Sequence, residues 1–490
     1  MTCCRRRIAP APQPSKGRSG PTIRAAGACP LAPTARRGWG ALAPPVMFRP
    51  VTQTRQEGSG PGFVRAVGTF AFAAAIFNVT VGGGIFRLPA TAAASVGTAA
   101  PLAYVVCGLV MGCVALCFAE AGSRVPLTGG PYAYVEAVFG RFPGFLAGVL
   151  LWMLGTTAMG GVASAFADGA AALLGIPGAR VPVLVAAFAT IAWINIRGVE
   201  QGARLIVVLS AAKLLPLLLF VGIGLFSVVP ANLAITAAPE PANLARAAIV
   251  LVFAFSGVES ALAASGEVKD PTRTIPRALV IAMTGVTLLY IAVHMVAHGI
   301  LGPRLATETT DPLATAFGAV VGPWGTAFLL ATATVSRLGY TSGMALAVPR
   351  ALWKFADDGL LPRVVASIHP RFRTPHVAIL VQVALVLLLG AVFSFEDLAV
   401  ISNLAALLLY GGCAAAVLVL RARDVKAPGT VPYRVPGGPV IPVVTIALIG
   451  WLLTSITAIE WRVLASVLGA ASLLYVLSGA ARRGRPAPTS

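Results

Sequence analysis

Long apolar segments separated by short polar loops follow one another along the chain from residue 64 to residue 480. A helix needs about 20 mostly apolar residues to cross the hydrocarbon core of a bilayer, and the segments have about that length. The pattern therefore predicts an all-α integral membrane protein with twelve transmembrane helices. The predicted spans are 64–88, 97–119, 143–173, 181–196, 204–229, 246–265, 278–301, 322–349, 375–393, 397–420, 439–458 and 462–480.

Composition and charge support this interpretation and orient the helices. Hydrophobic residues make up 57% of the 490 residues and charged residues 11%, which is too little polar surface for a set of soluble domains. A net charge of +20 would suggest nucleic acid in a soluble protein, but membrane proteins concentrate Lys and Arg in cytoplasmic loops. The predicted outer loops hold only Arg180, Arg246, Arg304 and Arg462. The sequence thus predicts a cell-membrane protein with both termini cytoplasmic and no nucleic-acid partner.

The two ends of the chain differ from the membrane domain, which is predicted at 63–480. Residues 1–62 are rich in Arg, Pro, Gly and Ala and contain no apolar core of the kind that a signal peptide needs. We expect a disordered basic cytoplasmic tail there, unless Met47 is the true initiator. Residues 481–490 are predicted to form a short cytoplasmic tail.

Two of the predicted helices are interrupted near mid-membrane. Gly82, Gly83 and Gly84 weaken the first, because each glycine costs about 1 kcal/mol relative to alanine in a helix interior. The sixth is interrupted at Ser256 and Gly257. Paired interruptions at the start of two five-helix sets indicate an inverted-repeat transporter, although such glycines also occur where helices pack closely. Freed N–H groups would suit a carboxylate and freed C=O groups an ammonium, as an amino acid requires.

Four motifs in a fixed order resemble the amino acid, polyamine and organocation (APC) superfamily of permeases. They are "GGGIFRLP" at the first break, "FAEAGSRVPLTGGPYAYVEAVFG" at 118–140, "FAFSGVESALAASGEVKDPTRTIPRAL" at 253–279 and "PRALWKFADDGLLP" at 349–362. The resemblance implies the LeuT-type fold. That fold has a 5+5 inverted repeat with helices 1 and 6 broken, and here two C-terminal helices would follow.

The resemblance also implies a substrate site at the two breaks. The substrate carboxylate would bind the amides of Gly82, Gly83 and Gly84, and its amine the carbonyls near Thr80, Phe253 and Ser256, beside Gly257. Gly83 stands where the family usually has serine, so one hydroxyl contact is lost while the backbone contacts remain. The Phe253 ring stands where the family has an aromatic residue that covers the substrate.

Three ionisable residues at membrane depth are candidates for coupling or gating, because a charge is costly there. Lys213 corresponds to a family lysine beside broken helix 1, where it would replace a sodium ion, and the alternative is a lysine whose side chain reaches back to the inner interface. Glu259 matches a family glutamate implicated in gating, and the alternative is a carboxylate bonded permanently to backbone amides. Arg337 lies in the outer half of the eighth helix, where it would attract carboxylates or pair with Glu308 or Asp311 in a gate.

The remaining polar candidates carry weaker signals. Arg87, one turn beyond the glycines, would play a part similar to that of Arg337. The spacing of His294 and His298 favours interfacial polar residues over a metal pair or proton relay. The seven cysteines lack metal-ligand spacing and are interpreted as packing residues.

These features predict a secondary active transporter of a neutral or anionic amino acid, or a related zwitterion or amine. The expected mechanism is proton-coupled symport by alternating access, and amino acid exchange is the close alternative. A non-transporting membrane sensor or channel subunit is the contrasting class. We predict no enzyme activity, no cofactor and no metal site. The expected partners are the substrate, protons and the lipid bilayer, and the sequence does not indicate an oligomeric state.

Overall fold

The chain folds into a bundle of α-helices. The computed structural model describes residues 68–125, 130–176, 178–197, 213–235, 238–258, 268, 270–308, 310–426 and 431–483, so the predicted tail at 1–62 and Glu259 lie outside the described residues. The helices are α1 (Thr69–Thr80), α2 (Leu88–Val96), α3 (Ala100–Arg124), α4 (Pro131–Phe139), α5 (Arg141–Leu174), α6 (Arg180–Arg197), α7 (Lys213–Ser227), α8 (Pro241–Phe255), α9 (Pro271–Leu301), α10 (Pro312–Val321), α11 (Pro323–Asp357), α12 (His376–Val392), α13 (Phe395–Ala422), α14 (Val440–Leu453) and α15 (Ala458–Arg483).

Apolar length and exposed apolar surface mark the chain as a multi-pass membrane protein. Within the described residues, six helical stretches are long and apolar enough to cross a membrane, and six shorter apolar helices accompany them. The lipid-facing character is clearest in α15, where only 11% of the most apolar window is buried within the protein. Its exposed side chains include Leu473 and Leu477. A water-soluble bundle would bury such a row of apolar residues.

Most helix bounds follow from proline and glycine at their ends. Proline begins α4, α8, α9, α10 and α11, because its missing N–H is one of the groups that the first helical turn leaves unbonded anyway. The short helices α4 and α10 were not predicted, since each lies in a connection between longer apolar segments. α15 runs three residues into the segment predicted as the tail at 481–490.

The helices form two groups that meet at the functional region. In the first group, α1 packs on α9, and α9 and α8 pack on α3. In the second, α5, α6, α11 and α12 share an apolar core that includes Met159, Phe188 and Val386. α13 contacts α3 and α8 on one side and α5 on the other, so it bridges the groups. The site lies where the first group faces α5, α11 and α13.

A buried ion cluster ties α3 to α13 at the end of the bundle that the charge pattern assigns to the cytoplasm. The fully buried Glu120 carboxylate accepts hydrogen bonds from Arg124, Arg421 and the Val435 N–H. Arg124 and Arg421 therefore neutralise an acid in the protein interior. The pairing offsets the free-energy cost of burying the Glu120 carboxylate.

Candidate functional site

The chain breaks its first helix at the three glycines. α1 ends at Thr80, where the Val81 N–H donates to the Phe77 carbonyl oxygen, and Gly82 is extended. A short 3-10 turn at Gly83–Phe86 then leads into α2. The first N–H groups of a helix have no partner within it, so the glycines present backbone donors at the point where the helix restarts.

The second break lies directly against the first. α8 ends at Phe255, Ser256 is extended, and Gly257 has a φ of +114°, a conformation that L side chains rarely adopt. A Cβ atom added at Gly257 would lie 3.1 Å from the Val79 carbonyl oxygen, so the backbones of the two breaks are in contact. The Ser256 hydroxyl donates to the Val252 carbonyl oxygen of its own helix, 3.0 Å away.

Two side chains from other helices hold the carbonyl groups that the breaks release. The Lys213 ammonium on α7 donates to the Asn78 carbonyl oxygen at 2.6 Å. The buried Tyr290 hydroxyl on α9 lies 3.1 Å from the Thr80 oxygen and 2.8 Å from the Ala254 oxygen. A hydroxyl has one proton and donates to one of these acceptors at a time. Tyr290 therefore connects both breaks, and nothing in its local sequence identified it beforehand.

An aromatic pair covers the glycines. The Phe253 ring packs on Gly84, where an added Cβ atom would lie 3.0 Å from a ring carbon. Phe395 on α13 meets Phe253 edge to face, with 5.2 Å between the ring centroids. Phe253 therefore lies next to the glycines, and a second ring that the sequence did not single out packs against it.

Arg337 on α11 lies beside Gly83. An added Cβ atom at Gly83 would come within 3.0 Å of the Arg337 Cγ atom. Its guanidinium makes two hydrogen bonds to Asp311, at 2.5 and 3.1 Å, and one to the Ala165 carbonyl oxygen at 3.1 Å. Asp311, rather than Glu308, is thus its acidic partner. Arg337 is 1% exposed, and its Nε has no hydrogen-bond partner among the described residues.

A second ion network surrounds Arg87, which follows the 3-10 turn. The Arg87 side chain pairs with Glu396 on α13 at 2.7 Å and with Asp168 on α5 at 3.2 Å. Asp168 also pairs with Arg180 at 2.8 Å. The Ser394 side chain caps α13 in a capping box with Asp397, which orders the first turn that carries Glu396. The network joins the start of α2 to α5 of the second group and to the bridging helix α13.

The two histidines of α9 lie in the interior rather than at an interface. His294 is 1% exposed and His298 is 4% exposed, and the His294 ring lies 5.5 Å from the Tyr104 ring. Neither ring nitrogen of His294 has a hydrogen-bond partner in the part of the chain that the structure describes. That part also contains no group of three or more His, Cys, Asp or Glu residues that could hold a metal ion.

The structure brings most of the predicted site residues to one place. They surround the paired breaks and comprise Thr80, Gly82, Gly83, Gly84, Lys213, Phe253, Ser256, Gly257 and Arg337. Glu259 lies outside the described residues. Sequence reasoning missed Tyr290, Phe395, Asp168 and Glu396. Each of these residues contacts the site from a distant part of the chain, so no local sequence motif identifies it as a site residue.

Comparison with known proteins gives the architecture a family. The family model described as "Amino acid permease" matches residues 67–475. The methylthioribose transporter of Bacillus subtilis is 26% identical over 88% of this chain and 96% of its own length. The branched-chain amino acid permease BcaP of the same organism is 25% identical over 82% and 92%. The serine/threonine exchanger SteT, also from Bacillus subtilis, is 28% identical over 79% and 90%.

The family match covers both helix breaks, Lys213, Arg337 and the bridging helix α13. The relatives in turn are matched over nearly their full lengths. The chain is therefore a multi-pass membrane protein that belongs to the amino acid permease family.

Proposed function

We propose that this protein is a secondary active transporter that moves a neutral or anionic amino acid, or a related zwitterion or amine, in symport with protons. The observation that carries the proposal is the contact between two broken helices, with backbone N–H groups at Gly82–Gly84 and helix-end carbonyls opposite them. A zwitterion carries the two charges that these backbone groups prefer. The names of BcaP and SteT, which refer to amino acids, support the same substrate class.

In this proposal the substrate binds between the breaks. Its carboxylate accepts from the amides of Gly82, Gly83 and Gly84, and its ammonium donates to carbonyls near Thr80, Phe253 and Ser256, with Gly257 shaping the second break. Phe253 covers the bound substrate. Tyr290 positions both helix ends, because its hydroxyl lies within hydrogen-bond distance of a carbonyl on each.

Coupling and gating are assigned to side chains around this site. Lys213 holds the end of α1 as an ammonium and releases it on losing a proton, so its protonation state is linked to the position of α1. Glu259 is proposed to gate the inner side. The ion pairs of Arg87, which connect the first break to α5 and α13, and the ion pair of Arg337 with Asp311 are proposed to close the outer side.

The proposed architecture is that of the LeuT-type fold. We assign twelve transmembrane helices, with helices 1 to 5 and 6 to 10 as inverted repeats and two helices after them. Both termini lie in the cytoplasm, with a disordered basic tail at 1–62, the transporter domain at 63–480 and a short tail at 481–490. The cell membrane is the proposed location. Alternating access then consists of movement of the first helix group against the second.

Amino acid exchange is the second candidate. The relative SteT is named an exchanger, and this chain matches 90% of its length. Exchange would use the same site. It would require substrate inside the cell or vesicle before uptake begins.

Uptake into proteoliposomes tests both candidates. Labelled amino acids are offered with and without an imposed pH gradient, with and without sodium, and with or without internal substrate. Proton symport predicts saturable uptake that an inward proton gradient accelerates without internal substrate. Exchange predicts uptake only when substrate is loaded inside. An absence of saturable uptake for every amino acid and amine would reject the proposal.

A further inference from the structure

Gly83 and Arg337 fit each other as a pair. The Arg337 Cγ atom occupies space 3.0 Å from where a Cβ atom at position 83 would lie, and its Cα would be 3.6 Å away. Real Cβ atoms are seldom this close to other heavy atoms, so a serine at position 83 would push the arginine stem aside. The serine that the resembling family carries at this position would therefore require the Arg337 stem to shift by a few tenths of an ångström.

The guanidinium is fixed but not fully bonded. Asp311 and the Ala165 carbonyl oxygen take up its two terminal nitrogens, and Asp311 is itself 5% exposed. Gly169 leaves room for this arrangement, because a Cβ atom there would lie 3.0 Å from Arg337 Nη1. Nε is the one guanidinium nitrogen that has no partner among the described residues, and it is buried. Buried charged donors need an acceptor, and this one is two covalent bonds from the carbon that faces Gly83.

We propose that Arg337 Nε–H donates to the substrate carboxylate, in place of the serine hydroxyl that Gly83 lacks. The inference rests on the proposed function and narrows it, because the substrate must then carry a free carboxylate. Amino acids satisfy this requirement. Amino acid esters, decarboxylated amines and methylthioribose, the compound named for one relative, do not. Asp311 is a positioning residue, since it anchors the two terminal nitrogens and so holds the guanidinium in place.

The test compares a transported amino acid with its own methyl ester. In proteoliposomes, KM for the labelled acid and the inhibition constant for the ester are measured for the wild type, Arg337→Lys, Arg337→Ala, Gly83→Ser and the double variant Gly83→Ser/Arg337→Ala. Lysine keeps the charge beside Asp311 but has no Nε–H. Arg337→Lys and Arg337→Ala are expected to raise KM for the acid at least about tenfold, with little change for the ester.

The double variant separates recognition from folding. Gly83→Ser alone is expected to impair uptake, because the added Cβ meets the arginine stem. With Arg337→Ala also present, the Cγ atom that meets position 83 is gone, and KM for the acid should return to within about threefold of the wild type. Arg246→Ala is the matched control. Arg246 also makes two hydrogen bonds to one acid, Glu460, but lies away from the breaks, so KM should not change.

Two results would overturn the inference. One is an equal loss of affinity for acid and ester in Arg337→Lys, which would assign the arginine a purely structural role. The other is an additive loss in the double variant, which would mean that position 83 and Arg337 do not share a function. A wild type without saturable amino acid uptake would instead reject the proposed function, so the two failures are distinguishable.

Discussion

Lys213 is the single residue on which the proposed proton coupling depends. Its ammonium lies 2.6 Å from the Asn78 carbonyl oxygen at the end of α1. Lys213→Met keeps the length of the side chain but removes the charge-assisted hydrogen bond, a loss of about 1.5 to 3 kcal/mol. We expect uptake to fall at least about tenfold and substrate-driven proton entry to disappear. A pH-sensitive dye inside proteoliposomes, read together with labelled substrate uptake, measures both quantities.

Lys354→Met is the control for this substitution. Lys354 is 53% exposed near the end of α11 and pairs with Asp358 at 2.8 Å, so the same chemical change occurs far from the breaks. Its uptake and proton entry should match the wild type. If the Lys213→Met variant transported protons and substrate in the same ratio as the wild type, another residue would have to be the coupling group.

At the scale of secondary-structure elements, the contact between the two breaks requires glycine at position 257. Its φ of +114° and the 3.1 Å approach to the Val79 carbonyl oxygen leave no room for a side chain. Gly257→Ala therefore combines backbone strain with a clash, and we expect KM to rise at least about tenfold because α1 and α8 are pushed apart. Uptake kinetics and the thermal unfolding of the purified protein are the two measurements.

Gly140→Ala separates strain from contact. Gly140 also has a positive φ, +92°, but an added Cβ there would meet nothing within 4 Å. It should lower the unfolding temperature by only about one degree, as a loss of about 1 kcal/mol does in a chain of 490 residues, and leave KM unchanged. Similar KM values for the two variants would show that the strained conformation, and not the contact between the breaks, accounts for the effect of Gly257→Ala.

The same elements show what could be predicted from the sequence. Apolar length is a local property, and glycine weakens a helix wherever it stands, so the helices and both interruptions could be inferred from composition and spacing. The helices α4 and α10 could not, because they are short and lie in connections. The acidic partners of Arg87 could not be predicted from the sequence either. Glu396 lies 309 residues further along the chain, and only tertiary packing brings the two together.

Arg337 illustrates a different limit. Its position in the eighth predicted span and its two candidate acidic partners could be derived from spacing, and Asp311 is the acid that it bonds. Its contact with Gly83 could not be derived from the sequence, since that contact depends on how α11 packs against the first break. The missing serine and the buried arginine were therefore separate anomalies in the sequence, and they form one feature of the structure.

At the scale of the whole molecule, the ion pairs of Arg87 connect the first break to two other helices on the proposed outer side. Arg87 follows the first break, whereas Asp168 and Glu396 belong to α5 and α13. If these contacts close the outer pathway, removing them should favour the outward-open state. Part-buried ion pairs contribute about 1 kcal/mol each, so losing both shifts the ratio of the two states by roughly tenfold or more.

The double variant Asp168→Asn/Glu396→Gln tests this gate when it is combined with the reporter Ala333→Cys. Ala333 is 1% exposed and lies four residues before Arg337 on α11, so it shares the helix face that meets the first break. We expect a membrane-impermeant maleimide, added outside intact cells, to label the reporter several times faster in the double variant. Protein without the reporter gives the background from native cysteines. Glu460→Gln, which breaks the separate pair with Arg246, should leave the labelling rate unchanged. Equal labelling with and without the Arg87 partners would mean that other contacts close the outer side.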